Sequence, residues 1–258
     1  MNYSTLNLEK HGEHVLVARL DRPEVLNALN SQMGRELLEL WTRLGAEPGA
    51  TRCVVLTGSG ERAFCAGADL KERDGMSPSD WRAQHELFER GFMALMDFPL
   101  PVIAALNGHA FGGGLEIALC CDFLYAAGGA RFALPEVRLG IMPGGGGTQN
   151  LARAAGERRA KELILSGRQF SADEGVSWGL FNRIGTLADA LETAQKIAEN
   201  APLSVRQAKK SIHYGLQADL LTGYRFEIEA YNRLVDTDDR REGVRAFNEK
   251  RKPVFKGT

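Results

Sequence analysis

Three consecutive glycines, Gly112-Gly113-Gly114, stand between the apolar run Val102 to Leu106 and a helix-like pattern that opens with Leu115 and Glu116. A strand, a tight turn and a helix start fit that order. Glycine lets the backbone approach a ligand closely, and the first amides of the following helix lack intrahelical partners. Those N–H groups, with the helix dipole behind them, favour an oxygen carrying negative charge. Glu116 falls in the first helical turn, so an anion site and a titratable carboxyl group coincide. Taken alone, the same pattern also describes a packing turn whose Glu116 merely complements a helix N-terminus. Two distant segments with matching equipment decide between these readings.

The 258 residues, 44% hydrophobic, suffice for one large domain or a domain with an appendage. Lysine plus arginine (32) nearly balance aspartate plus glutamate (33), so no global field recruits nucleic acid or an anionic membrane. None of Cys53, Cys65, Cys120 and Cys121 is spaced as Cys-x-x-Cys, and they read as reduced thiols. The N-terminus is polar from the start and no stretch reaches membrane-spanning length, which predicts a cytoplasmic protein.

Residues 3 to 20 read as a pair of strands around Gly12, and Ser31 to Ala46 as a helix with Met33, Leu37, Leu40, Trp41 and Leu44 inward and Arg35, Glu36, Glu39 and Arg43 outward. Cys53 to Thr57 is a buried strand leading to the first matching segment, Phe64-Cys65-Ala66-Gly67-Ala68-Asp69-Leu70. Residues 73 to 80 read as a mobile loop before a helix from about Trp81 to Met96. Phe123 to Ala126 and Arg131 to Ala133 read as short strands, Leu134-Pro135-Glu136 as a turn, and Gly140 to Gly147 as a flexible connection into a helix near Thr148. Ser171-Ala-Asp-Glu174 fits a capping box. Repeated strand, turn and helix units suggest an α/β spiral or layered fold over residues 1–186. Residues 187–258 read as helices only, with Ser204-Val-Arg-Gln207 as one cap.

No glycine cluster reads Gly-x-Gly-x-x-Gly or continues into Gly-Lys-Ser/Thr, so neither dinucleotide nor ATP is indicated. The five histidines are scattered, and Ser59 lacks the nucleophile-elbow pattern.

Together, Phe64 to Leu70, Asn107-Gly-His-Ala-Phe-Gly-Gly-Gly-Leu-Glu116, and Leu134-Pro-Glu136 with Gly140-Ile-Met-Pro-Gly-Gly-Gly-Gly-Thr-Gln149 closely resemble the enoyl-CoA hydratase/isomerase family, the crotonase superfamily. The likeness extends from Leu20-Asp-Arg-Pro-Glu-Val-Leu-Asn-Ala-Leu29 to Glu242 to Lys252. It implies a spiral of ββα units with a C-terminal helical region that covers the active site and joins subunits. It assigns the oxyanion hole to the backbone amides of Ala68 and Gly113, each donor worth ~3 kcal/mol by analogy with other oxyanion holes. The two hydratase glutamates fall on Glu116, which activates water, and Glu136, which handles the Cα proton. Isomerases of the family keep a carboxylate at the second position and lack the first, which makes Δ3,Δ2-enoyl-CoA isomerisation the alternative. A non-catalytic CoA-ester or RNA-binding scaffold is the alternative from another class.

The resemblance further implies a CoA groove lined by Val25, Ala28, Ala66, Asp69 and Leu70, with Lys250 near a phosphate. The acyl pocket would be lined by residues 76 to 96. It also implies a homotrimer or a hexamer, and no cofactor beyond the CoA of the substrate. Residues 66 to 73, 144 to 147 and 221 to 223 look most like the branch of 3-methylglutaconyl-CoA hydratase and its AU-rich-RNA-binding homologues. Residues 33 to 52 contain no lysine, however, so nucleic acid is not an expected partner.

Overall fold

The computed structural model describes residues 3–258; Met1 and Asn2, the start of the polar N-terminal segment, lie outside the described residues. β1 (Leu6–His11) and β2 (Val15–Leu20) form the expected antiparallel pair around Gly12. α1 (Ser31–Ala46) starts where Asn30 accepts the Met33 N–H at 2.9 Å. Glu36 departs from its expected outward position. It is buried and accepts the amides of Ser4 and Thr5 at 2.8 and 2.9 Å. Burial pushes its carboxyl up, but hydrogen bonds from Gln32, Thr5 and Ser4 outweigh this and hold it at about 2.

Three strand pairs then repeat one manoeuvre: β3 (Cys53–Gly58) with β4 (Ala63–Cys65), β5 (Val102–Leu106) with β6 (His109–Phe111), and β7 (Phe123–Ala126) with β8 (Arg131–Ala133). The first member of each joins a six-stranded sheet and the second a four-stranded sheet. A helix follows each pair, which gives the ββα spiral expected from the resemblance. After β4 come α2 (Leu70–Arg73) and α3 (Pro78–Met96), and after β6 comes α4 (Gly113–Leu119). After β8 come a 3-10 turn, Glu136–Leu139, then α5 (Gly147–Ala155) and α6 (Glu157–Ser166). Asn107 fixes the corner between β5 and β6, accepting the Gly58 N–H at 3.0 Å and donating to the Gly60 carbonyl at 2.7 Å.

The large sheet runs β1-β2-β3-β5-β7-β10, with β10 at Arg183–Ile184, and the small one β4-β6-β8-β9, with β9 at Phe170–Ser171. All of β3 is buried because both of its faces are covered. Val54 and Leu56 enter the main core, while Cys53 and Val55 meet Ala190, Ala194 and Ala198 of α8 (Leu187–Ala198). That alanine spacing presents one small-residue face to the sheet. All four cysteines are free and buried.

Residues 73 to 80 form less of a loop than expected, since Arg73 still belongs to α2 and α3 opens three residues before Trp81, with Pro78 in its first turn and Ser77 accepting the Asp80 N–H at 3.2 Å. The segment Ser204 to Gln207 is likewise interior to α9 (Pro202–Gly215), which starts at a proline. α10 (Leu220–Asn232) and α11 (Asp238–Asn248) complete the chain, and Leu216, Leu220, Tyr231 and Phe247 on this region are exposed. Among the described residues no helix is long and apolar enough to cross a membrane.

The predicted capping box forms at α7 (Ala172–Ser177): Ser171 Oγ accepts the Glu174 N–H at 3.2 Å and Glu174 Oε2 accepts the Ser171 N–H at 2.8 Å. Ser171→Ala is expected to destabilise the protein by about 1 kcal/mol, read as a lower urea midpoint with an unchanged slope. An unmoved midpoint would show that Arg168 and Glu174, paired at 3.0 Å, hold this helix start without the serine.

Candidate active site

A cavity of about 710 Å³ opens between the two sheets' connections and α3, and all three sequence motifs reach it. It is lined by Gly67, Ala68, Gly112 and Gly113, by Glu116 and Glu136, and by Trp81, His85, Phe88 and Phe92 of α3.

Backbone pairing explains why Ala68 and Gly113 present free amides. Leu29 forms a parallel bridge with Ala68: its N–H donates to the Gly67 carbonyl at 2.8 Å and its carbonyl accepts the Asp69 N–H at 2.9 Å. A strand alternates the direction of its polar groups, so the Ala68 N–H points away from Leu29. Gly67, at φ +97, makes that turn, in a conformation other residues rarely adopt. On the other segment, Gly112 donates to the Ala133 carbonyl at 2.9 Å and takes φ 51. Gly113 is then the first residue of α4, where an N–H has no partner within the helix. The two segments adjoin, since a Cβ built on Gly67 lies 3.6 Å from the Gly113 nitrogen and one on Gly113 lies 4.0 Å from the Ala68 nitrogen.

The carboxyl groups occupy different environments. Glu116 Oε1 accepts the amides of Gly145 at 2.7 Å and Gly147 at 2.9 Å, so it sits on the N-terminus of α5. Burial raises its carboxyl above the usual range, against these two hydrogen bonds. Glu136 is buried too, and its Oε2 has no hydrogen-bond partner among the described residues. Burial first, and then the charge of Glu116, push it up to about 7, with its own backbone amide opposing the shift. Gly112 lets this carboxyl approach, because a Cβ there would lie 3.0 Å from Glu136 Oε1.

The glycines at 144 to 147 are packed tightly, in contrast to the flexible connection expected from sequence. A Cβ on Gly144 would lie 2.5 Å from His85, and one on Gly145 would lie 2.1 Å from Phe92 and 3.1 Å from Glu116 Oε2. Close approach to α3 therefore explains two of these glycines, and the approach of Glu116 explains a third, since a Cβ on Gly147 would lie 2.9 Å from Glu116 Oε1.

Of the other positions expected to meet CoA, Ala66 and Leu70 line the cavity, whereas Val25, Ala28, Asp69 and Lys250 do not. Asp69 serves locally instead. It caps α2 and pairs with Arg22 at 3.0 Å, and burial is outweighed by those bonds, so its carboxyl stays below the ordinary range. Sequence reading placed the acyl wall on residues 76 to 96 and missed its members. Trp81, His85, Phe88 and Phe92 fall at helical spacing, a signal legible once the helix is known to face the cavity. Among the described residues no cluster of His, Cys, Asp and Glu could hold a metal ion.

Two backbone amides and two inequivalent carboxyls on one cavity make an arrangement suited to a carbonyl substrate whose α-carbon exchanges a proton. The chain belongs to the enoyl-CoA hydratase/isomerase family, whose pattern its sequence matches over residues 10–258. The short-chain-enoyl-CoA hydratase of Clostridium acetobutylicum is 41% identical over 256 residues, covering 98% of this chain and 97% of that one. The (E)-benzylidenesuccinyl-CoA hydratase of Thauera aromatica is 39% identical over 249 residues, covering 95% and 96%. The crystal structure of an enoyl-CoA hydratase from Bacillus anthracis superposes with a TM-score of 0.96 at 44% identity, covering 99% of this chain and 100% of that one.

Proposed function

We propose that this protein is an enoyl-CoA hydratase, a hydro-lyase that adds water across the 2,3 double bond of a 2-enoyl-CoA thioester to give a 3-hydroxyacyl-CoA. The observation that carries the reading is the unequal pair of carboxyls on one cavity, one anchored on two amides and one unpartnered. The pair titrates as a unit. Its shared proton belongs on Glu136, because the hydrogen bonds to Glu116 favour the charged form of that group. Glu116 takes a proton from water as the water oxygen bonds C3. The π electrons move toward the thioester carbonyl, whose growing negative charge lies between the amides of Ala68 and Gly113. Glu136 then protonates C2, and the two carboxyls have exchanged one proton. Retention of Glu116 favours hydration over isomerisation.

CoA enters as part of the substrate, so the scheme requires no resident cofactor. Its pantetheine and adenine are read as following the rim marked by Ala66 and Leu70 toward Val25 and Ala28, with Lys250 at a phosphate. The exposed apolar residues of α9 to α11 support assembly into a homotrimer or a hexamer, and the four free thiols support a reducing, cytoplasmic setting. The finer assignment, to the 3-methylglutaconyl-CoA hydratase branch, rests on residues 66 to 73, 144 to 147 and 221 to 223.

Loss of enoyl-thioester absorbance on mixing the protein with crotonyl-CoA tests the reading directly. Hydration is expected, with a rate that falls as pH rises through about 7, because Glu136 then gives up the proton it must donate. A rate that climbs steadily from pH 6 to 9 would assign the proton elsewhere.

A further inference from the structure

Arg73 is an unpaired cation in the wall of an otherwise largely apolar acyl cavity. It ends α2 and lines the cavity. Its Nε donates to Gln84 Oε1 at 2.8 Å, and Gln84 is in turn fixed by donating to Glu72 Oε2 at 2.7 Å and Ser31 Oγ at 2.9 Å. The guanidinium lies over the Trp81 ring at 4.4 Å and near the Phe88 ring at 5.8 Å. Its two terminal nitrogens have no partner among the described residues, and it forms no ion pair there. The adjacent acid, Glu72, is occupied by the Ser31 amide at 2.8 Å and by Gln84. Partial burial lowers the guanidinium's proton affinity, and the charge of the neighbouring Glu72, whose oxygens are taken up by Ser31 and Gln84, offsets that only in part.

The remaining charges on the cavity do not answer this one from within. Glu116 is held by α5, and Glu136 is buried against Gly112. Glu89 and Arg138 are exposed at the rim, where Arg138 donates to the Ser166 carbonyl at 3.3 Å. A substrate carboxylate entering this cavity meets repulsion from the catalytic pair and needs one cation to offset it. Arg73 supplies a planar, pre-oriented fork suited to two carboxylate oxygens. Arg73 lies over Trp81 near the start of α3, whereas Phe92, eleven residues and roughly 16 Å of helical rise further along, meets Gly145 beside Glu116.

We infer that Arg73 is a specificity residue that binds a carboxylate at the far end of the acyl chain, so that the preferred substrates are 2-enoyl-CoA thioesters carrying a distal carboxylate. The inference rests on the hydratase reading for the word substrate, but its first test needs no turnover. Binding of glutaryl-CoA, butyryl-CoA and free CoA is measured by calorimetry for the wild type, for Arg73→Met and for Arg73→Gln. The wild type is expected to bind glutaryl-CoA about tenfold or more tighter than butyryl-CoA, the scale of one charge-assisted hydrogen-bonded pair. Both variants are expected to lose that preference while binding butyryl-CoA and free CoA as before. Equal weakening of all three ligands in the variants places Arg73 on a CoA phosphate and overturns the inference, as does a wild type without the preference. Hydration of glutaconyl-CoA against crotonyl-CoA is the second arm. A wild type that prefers glutaryl-CoA yet hydrates neither enoyl ester refutes the hydratase reading and leaves the role of Arg73 standing.

Discussion

Glu136→Gln is expected to lower kcat on crotonyl-CoA by ~10²–10⁴-fold, the range for removing a positioned general acid, with acyl-CoA affinity nearly unchanged. The amide keeps the shape of the side chain but has no proton to give to C2. The same variant is expected to be more stable than the parent above pH 7. Glu136 has a folded-state value of about 7, above its ordinary 4.5, so the folded protein holds this proton more tightly than the unfolded chain does. The stabilisation linked to that proton is full below the unfolded value and lost as pH rises through about 7, where the parent must bury a charge. Glutamine escapes that cost, on the order of 2 kcal/mol, since Oε2 has no partner to lose. Thermal melts at pH 5 and pH 8.5 read the difference: the variant should gain at the higher pH alone. Unchanged turnover would remove Glu136 from the chemistry, and equal melting at both pH values would remove the buried charge.

Gly113→Pro is expected to lower kcat by ~10²–10³-fold, because it deletes one oxyanion donor and puts a ring carbon in its place. The backbone tolerates the change better than most. Position 113 opens α4, where proline is favoured, and Gly112 at ψ −129 stays clear of the helical region that a following proline disfavours. Gly113→Ala is the control. Its methyl meets the end of Leu29 at 3.2 Å, comes no nearer than 4.0 Å to the Ala68 nitrogen, and leaves the N–H in place, so the variant should retain most activity. If the two variants turn over equally, the amide of residue 113 does not hold the carbonyl.

That Glu116, Glu136, Ala68 and Gly113 meet at one cavity was legible in the sequence because each lies inside a short motif with its own local geometry, a turn, a helix start or a proline-bound corner. Elements followed the same rule, as α1 and the capping box at Ser171 show. What escaped depends on distant partners. Glu36 reads as solvent-facing until Ser4 and Thr5, 31 to 32 positions earlier, turn their amides toward it. The glycines at 144 and 145 read as slack until His85 and Phe92 are seen against them. Ser77-Pro78 did carry a helix-start signal, and Pro202 outcompeted Ser204 for the same reason. Arg73 in the run Lys71-Glu72-Arg73-Asp74 looked like a solvated edge, since only the position of α3 brings Trp81 beneath it.

The α3 wall of the cavity and its two carboxyls belong to separate pieces of chain. Trp81, His85, Phe88 and Phe92 come from α3, whereas both acids and one amide come from segments beyond residue 111. Recutting that helix would let an engineer, or lineage divergence, retarget the scaffold to differently shaped thioesters while the reacting machinery is inherited untouched, with Gly144 and Gly145 setting how much bulk any replacement could carry.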